Sequence, residues 1–231
     1  MQSRAFALNP ALDVSQYAHA AWKIRDGFSK GTIVAIAQTQ DGYLWLGTEF
    51  GLFRFDGVQQ VQWQPPAGQQ LQSSYIRTLV AARDGRLWIG TNQGLASWKD
   101  GKLTLHAEPA GQSIWTLLED REGTVWAGGH HATPAAKLCA MHGSNVQCYG
   151  EDDSFGQHID SLYEDRRGNL WVGAVKGLWR WKPGPPKLYP MPERAQALID
   201  GDNGALGIVM YSGIRQFAEG NSGSCSSGKA R

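Results

Sequence analysis

The chain of 231 residues contains no run of 18 apolar residues, so no segment of it could cross a membrane as a helix. No stretch holds apolar residues at a 3.6-residue period, which excludes a solenoid of paired helices. Charge of neither sign dominates. The 22 Lys and Arg are scattered against 21 Asp and Glu, leaving no electrostatic footprint for nucleic acid. Catalytic signatures are missing as well: there is no G-x-S-x-G, no H-E-x-x-H and no glycine-rich phosphate loop ahead of a helix. Nothing calls for a metal or a cofactor, and no enzyme activity is expected. Residues 1–7 lack the apolar centre of a secretory signal, yet Ala5-Phe6-Ala7 has the shape of a cleavage site. They read either as an ordinary start or as the remnant of a signal.

What the chain has in quantity is tryptophan, 10 residues, and glycine, 29 residues, and a repeat organises both. Asp41-Gly-Tyr-Leu-Trp45-Leu-Gly47-Thr returns as Asp84-Gly-Arg-Leu-Trp88-Ile-Gly90-Thr and as Arg167-Gly-Asn-Leu-Trp171-Val-Gly173-Ala. A broken copy, Glu122-Gly-Thr-Val-Trp126-Ala-Gly128-Gly, lies between them. The tryptophans are 43, 38 and 45 residues apart, a period that marks a repeat architecture.

Each copy is preceded by an apolar alternation, such as Ile76, Leu79 and Ala81, and the Asp-Gly type pair then breaks the run as a hairpin turn would. A second glycine (Gly51, Gly94, Gly177) opens a third run, and a weaker one closes the unit at 60–63, 103–106, 146–149 and 187–189. Four short antiparallel strands per roughly 40 residues are the blade of a β-propeller, so the fold class is all-β. The repeated Trp fills the wedge between blades, and the Gly two residues on permits close backbone approach.

Four full blades are expected at about 33–63, 76–106, 114–149 and 159–189, with a worn fifth at 196–217 in which Gly207 stands in the Trp position. Residues 17–24 read as a lone strand that would complete the last blade. The segment 1–16 precedes the propeller, 17–219, and the tail 220–231 is small, polar and expected to be disordered. The acidic turn residues Asp41, Asp56, Asp84 and Asp100 recur with the blades, so turn chemistry accounts for them.

Of three cysteines, two fit one hairpin. If Gly143-Ser144 is a two-residue turn, opposed residues sum to 287 and Cys139 faces Cys148 at a non-hydrogen-bonded pair, close enough for a disulfide. Two free thiols are the alternative. Cys225 has no evident partner.

The motif D-G-x-L-W-[LIV]-G-T-x-x-G-L resembles the two-component regulator propeller repeat of bacterial sensor proteins, and Ser15-Gln-Tyr-Ala-His-Ala-Ala-Trp22 is similar to the start of those regions. The resemblance covers roughly 8–219. It implies a periplasmic or extracytoplasmic input module that binds a signal, joined in the parent protein through a β-sandwich and a membrane helix to a histidine kinase or a diguanylate cyclase, and working as a homodimer. None of those later parts is present here. Against the usual ring of that family the chain is about two blades short, so an incomplete ring is expected, with outward faces of blades 1 and 5 left apolar. A closed five-blade ring is the rival. A propeller acting on or binding polysaccharide, and a stand-alone interaction propeller, are the other functional readings.

With the first strand of each blade innermost, one face of the ring gathers the variable loops. They bring Glu49, Phe50, Asn92, Gln93, His130, His131, Val175, Lys176 and Tyr211 together with Tyr75, Gln112, Asp152, Asp153 and His158. Aromatic, imidazole and carboxylate groups on one face suit an unknown small molecule or an oligosaccharide. Ordinary loops, with the site in missing blades or at a dimer seam, are the competing reading. His130 and His131 are adjacent and would point apart on a strand, which is poor geometry for one metal.

Overall fold

The computed structural model describes residues 31–109, 111–131, 135–143, 145–182, 184–201 and 205–217. The strand 17–24, Trp22, Cys225 and the tail lie outside the described residues. The described residues form strands and turns with no helix.

Blade 1 comprises β1 (Ala35–Gln38), β2 (Leu44–Thr48), β3 (Gly51–Phe55) and β4 (Gln60–Gln62); blade 2 comprises β5 (Ile76–Ala81), β6 (Leu87–Thr91), β7 (Gly94–Lys99) and β8 (Lys102–His106). Blade 3 comprises β9 (Ser113–Glu119), β10 (Val125–His130), β11 (Leu138–His142) and β12 (Asn145–Tyr149); blade 4 comprises β13 (Ile159–Glu164), β14 (Leu170–Ala174), β15 (Gly177–Lys182) and β16 (Lys187–Tyr189). Blade 5 has β17 (Ala197–Asp200), β18 (Leu206–Met210) and β19 (Gly213–Phe217). Each is an antiparallel meander in sequence order. The first strands β1, β5, β9, β13 and β17 pack one against the next around the centre, and among the described residues no comparable packing joins β17 back to β1. The described residues form a β-propeller of four full blades and a three-stranded fifth in an incomplete ring.

The repeat is legible in its physics. At the Asp-Gly turns the glycines take positive φ, +83° at Gly85 for example, a region closed to most side chains. The repeated Thr closes the second turn: Thr48 Oγ1 donates to Gly51 O (3.0 Å) and accepts from Phe50 N (3.1 Å), and Thr91 does the same with Gly94 and Gln93. The glycine two residues past each Trp lies under the next blade. A Cβ at Gly47 would stand 2.7 Å from Ile76 Cγ2, and one at Gly90 would stand 2.9 Å from Ile114 Cγ2.

Between successive blades the repeated Trp packs on a ring from the fourth strand of its own blade and a side chain from the third strand of the next. Centroid distances are 6.3 Å for Trp45–Trp63 and 5.2 Å for Trp63–Trp98. They are 6.4 Å for Trp126–Tyr149 and 5.0 Å for Tyr149–Trp181, then 5.9 Å for Trp171–Tyr189 and 4.9 Å for Tyr189–Phe217. At the seam of blades 2 and 3 the set is Trp88, His106 and Met141, with Trp88 stacked on His106 at 4.8 Å.

The outward faces depart from the simple expectation. On blade 1, Val34 and Ile36 are exposed, but Leu46, Phe53 and Phe55 on the same face are buried in a small cluster with Ile33 and Leu44. On blade 5, Ile199 and Ile214 are exposed and Gly207 leaves no indole to bury. The open faces are therefore only partly apolar and exposed.

The hairpin β11–β12 has the counted register, Met141↔Val146, Ala140↔Gln147 and Cys139↔Cys148. The last pair is bonded as a disulfide, with Cα atoms 4.1 Å apart.

Candidate functional site

Three first strands carry a bulge at one position. Pairing skips from Ile76 to Thr78, from Ile114 to Thr116 and from Ile159 to Ser161, so Arg77, Trp115 and Asp160 have no partner in the ladder. A bulge re-aims the unpaired side chain. Here it brings three residues from three blades to one mouth of the ring.

Around them the neighbouring loops build a continuous network. Asn92 Oδ1 accepts from Arg77 Nε (3.2 Å) and Nη2 (3.0 Å) and from Ser113 Oγ (3.0 Å), and Ser113 Oγ accepts from Trp115 Nε1 (2.9 Å). The Arg77 guanidinium lies over the rings of Tyr75 (4.4 Å) and Trp115 (5.8 Å). His130 and His158 form an isolated bridge, their rings 4.4 Å apart, and Trp115 touches both, at 5.7 and 5.1 Å. Arg194, from the loop before blade 5, holds Asp160 through two nitrogens. Blades 2, 3 and 4 and the approach to blade 5 thus each contribute.

The electrostatics keep His158 neutral. Burial, then the positive Arg194 and the neighbouring His130, lower the pKa of His158 against the opposite pull of Asp160. Its Nδ1 is shut off from solvent and makes no hydrogen bond. A cationic fork, an indole face and a pair of imidazoles suit hydrogen bonding and stacking with a polar ligand. Asp160 is tied to Arg194 and is poorly placed to act as a base. Among the described residues no group of three or more His, Cys, Asp and Glu is arranged to hold a metal.

Of the residues expected from sequence to form the site, Tyr75, Asn92, His130 and His158 meet here. The others are bonded elsewhere or exposed, Tyr211 alone lying within electrostatic reach of Arg194. Glu49 accepts from Thr32 N (3.1 and 3.3 Å), and Phe50 and Tyr211 are exposed. Gln93 lines a shallow hollow with Gln72 and Gly111. The backbone N–H of His131 donates to Gln157 O (3.1 Å). Asp152 caps Ser154, and Asp153 pairs with Lys176 at 2.7 Å. Gln112 is structural, bonded to Lys137 N (2.7 Å) and O (2.9 Å). Sequence reasoning missed Arg77, Trp115, Asp160 and Arg194. The signal for three of them is a variable residue between repeating neighbours: Ile76-Arg-Thr, Ile114-Trp-Thr, Ile159-Asp-Ser.

The opposite face is a chain of structural latches. Gln40 Nε2 donates to Arg83 O (2.8 Å). Arg83 N donates to Glu119 Oε2 (2.9 Å), and its guanidinium reaches the carbonyl oxygens of Asp120 and Arg121. Arg121 repeats this on Glu164, Asp165 and Arg166, and Arg166 pairs with Asp200. The residue six before the repeated Trp serves as its acceptor in three blades: Trp45 Nε1 donates to Thr39 Oγ1 (2.9 Å), Trp126 to Asp120 Oδ2 (2.8 Å) and Trp171 to Asp165 Oδ2 (2.9 Å). At Trp88 that position is Ala82, which has no side-chain acceptor.

The family model described as two component regulator propeller matches residues 27–50, 70–93, 109–131 and 153–176. No curated protein matches the chain. Among solved structures, the extracellular domain of the one component system BT4673 from B. thetaiotaomicron is similar at 18% identity and a TM-score of 0.63, over 79% of this chain and 27% of that one. PorZ, a surface component of the type-IX secretion system of Porphyromonas gingivalis, is similar at 12% identity and 0.64, over 85% and 34%. Virginiamycin B lyase from Staphylococcus aureus is similar at 14% identity and 0.62, over 82% and 71%. At these identities the likeness is one of fold, and the chain spans about a quarter of the length of the BT4673 domain. With one stretch matched in each of the four full blades, the chain carries the two component regulator propeller repeat four times.

Proposed function

We propose that the chain is the ligand-sensing part of a bacterial transmembrane signalling protein and that it works outside the cytoplasm, binding without catalysis. The observation that carries this reading is the mouth cluster, where Arg77, Asn92, Trp115, His130, His158 and Arg194 converge from successive blades. A ligand held there bridges several blades at once, so binding favours one packing of the ring over another, and a bias of that kind is what a sensor passes on. Supporting the location, the BT4673 structure is described as an extracellular domain. The output unit of the longer protein is a histidine kinase or a diguanylate cyclase, and the sensor acts as a homodimer.

The ligand is a small polar molecule such as an oligosaccharide, stacking on Trp115 and accepting from Arg77. Calorimetric titration of the purified chain with a panel of neutral oligosaccharides tests this. The expected result is a ligand whose binding is lost in Trp115→Ala and weakened in Arg77→Ala. A panel ligand that binds both variants as well as the parent chain, or no binding by any member, would overturn the reading.

A further inference from the structure

Four seams join the five blades, and one of them is built differently at three repeat positions together. Where the other seams have Thr or Asp beneath the indole, or an aromatic ring at the fourth and third strands, the seam of blades 2 and 3 has Ala82, His106 and Met141. These three side chains are smaller than those they stand in for, and a groove of about 600 Å³ opens over Trp88, His106 and Met141. A second hollow of about 520 Å³, sharing Arg86, Trp88 and Met141, continues it towards the latched face.

The walls have chemistry. Arg86, Lys99 and Lys102 line the groove on the blade 2 side with Asp100, and Asp84 stands beside Arg86 and Lys99, leaving Lys102 as the cation without an acidic neighbour in ion-pair reach among the described residues. Arg86 Nε lies 3.5 Å from Asp84 Oδ2, is shut off from solvent, and makes no hydrogen bond. Lys102 is exposed and forms no ion pair among the described residues. The facing wall is apolar, Met141 and the exposed Val146 on one hairpin, and the Cys139–Cys148 disulfide fixes that hairpin on the same face of the sheet. His106, anchored to Ser97 Oγ at 2.9 Å, has its pKa lowered to about 4 by burial and by Arg86, so it is neutral and leaves the cationic wall as the source of charge.

From this we infer that the seam of blades 2 and 3 is a binding groove for a small carboxylate whose carbon skeleton has an apolar face. The carboxylate meets Arg86 and Lys102 as a charge-assisted acceptor, and the skeleton lies against Val146 and His106. The groove is distinct from the mouth cluster and does not rest on the reading of that cluster.

Isothermal titration of the full chain with glucuronate, benzoate and neutral methyl glucoside tests the inference. One of the two carboxylates binds at about 1 mM or better and methyl glucoside does not, the better carboxylate telling a sugar acid from an aromatic acid. Met141→Trp refills the seam with the ring that blade 2 carries at the same register, Trp98, and abolishes binding, while Lys102→Ala, on the surface, weakens it at least about tenfold. Lys102→Ala decides alone if Met141→Trp does not fold. Trp115→Ala leaves carboxylate binding unchanged. Failure of both carboxylates to bind, equal binding by Lys102→Ala, or loss of binding in Trp115→Ala would each overturn the inference.

Discussion

The seam of blades 3 and 4 and the seam of blades 2 and 3 share a backbone plan and differ in what fills it. In the first, Trp126 stacks on Tyr149, Tyr149 meets Trp181, and Asp120 accepts from the indole while Lys182 Nζ reaches it at 2.7 Å from the next blade. Burial opposes ionisation of Asp120, but Lys182, the Trp126 N–H and the Thr124 N–H outweigh it and hold its pKa below the ordinary carboxylate value. In the second seam the indole has no side-chain acceptor at this place, and a Met stands where a ring would be. The difference teaches that a propeller can turn a packed seam into a groove by changing which side chain the third strand brings to the indole: Trp181 is carried by a bulge in its ladder, and Met141 sits in a regular one.

The largest expected effect is at the indoles. Trp126→Ala should cost about 3–5 kcal/mol, since a large buried ring is removed. Trp88→Ala should cost about 1 kcal/mol less, because it removes no indole hydrogen bond to a buried carboxylate. Urea unfolding of both variants measures the gap, and equal losses would mean that the Asp120 hydrogen bond adds nothing to the comparison.

Next is the disulfide, whose cysteines pack in the cluster of the second seam with Trp88 and Met141. Cys139→Ser with Cys148→Ser should lower stability by about 2–3 kcal/mol, the chain-entropy value for so short a loop. Mass spectrometry of unreduced protein should show the Cys139–Cys148 link. Two alkylatable thiols would count against it.

Acid should separate the seams in order. His106 titrates lower in the folded than in the unfolded chain, so the unfolded state takes up protons first; the stability tied to its neutral form is whole above about pH 6.5 and falls as pH drops towards about 4. Asp120 is also depressed, so its contribution is whole above about pH 4 and is lost only below that. The urea midpoint should therefore fall between about pH 7 and 5 and again below about 4. His106→Tyr, the residue of blades 3 and 4 at this place, should reduce only the first fall and leave the share of His158, whose pKa is lowered in the same direction. An undiminished first fall in the variant would place the titrating group elsewhere.

The smallest effect is a gain. Ala82→Thr, which copies the hydroxyl that blade 1 places beneath its indole, gives Trp88 an acceptor and should raise stability by about 0.5–1 kcal/mol. Calorimetric melting reads it, and a lower Tm would show that the hydroxyl cannot reach the indole.

Much of this was legible because it is periodic. The blade follows from Asp-Gly, Leu-Trp-Leu-Gly-Thr and the second glycine, each of which satisfies a local need: a turn with positive φ, a wedge to fill, a close approach. The register of Cys139 and Cys148 followed from one two-residue turn. The mouth was only partly legible, through Tyr75, Asn92, His130 and His158, because loop position marks which face a residue is on but not how near the axis it lies. Glu49 shares the sequence logic of His158 and is bonded elsewhere, to Thr32 N, and Lys176 turns to Asp153.

The sequence by itself determined the all-β class, the number of full blades, the worn fifth and the hairpin pairing, since these depend on contacts within about 40 residues. Only the tertiary structure decided which side chains meet across blades: the bulged Arg77, Trp115 and Asp160 at the mouth, Lys182 against Asp120, and the groove left over Trp88. A seam is filled by residues from two repeats, and the size of one side chain sets a void only once its neighbour from the next repeat is in place.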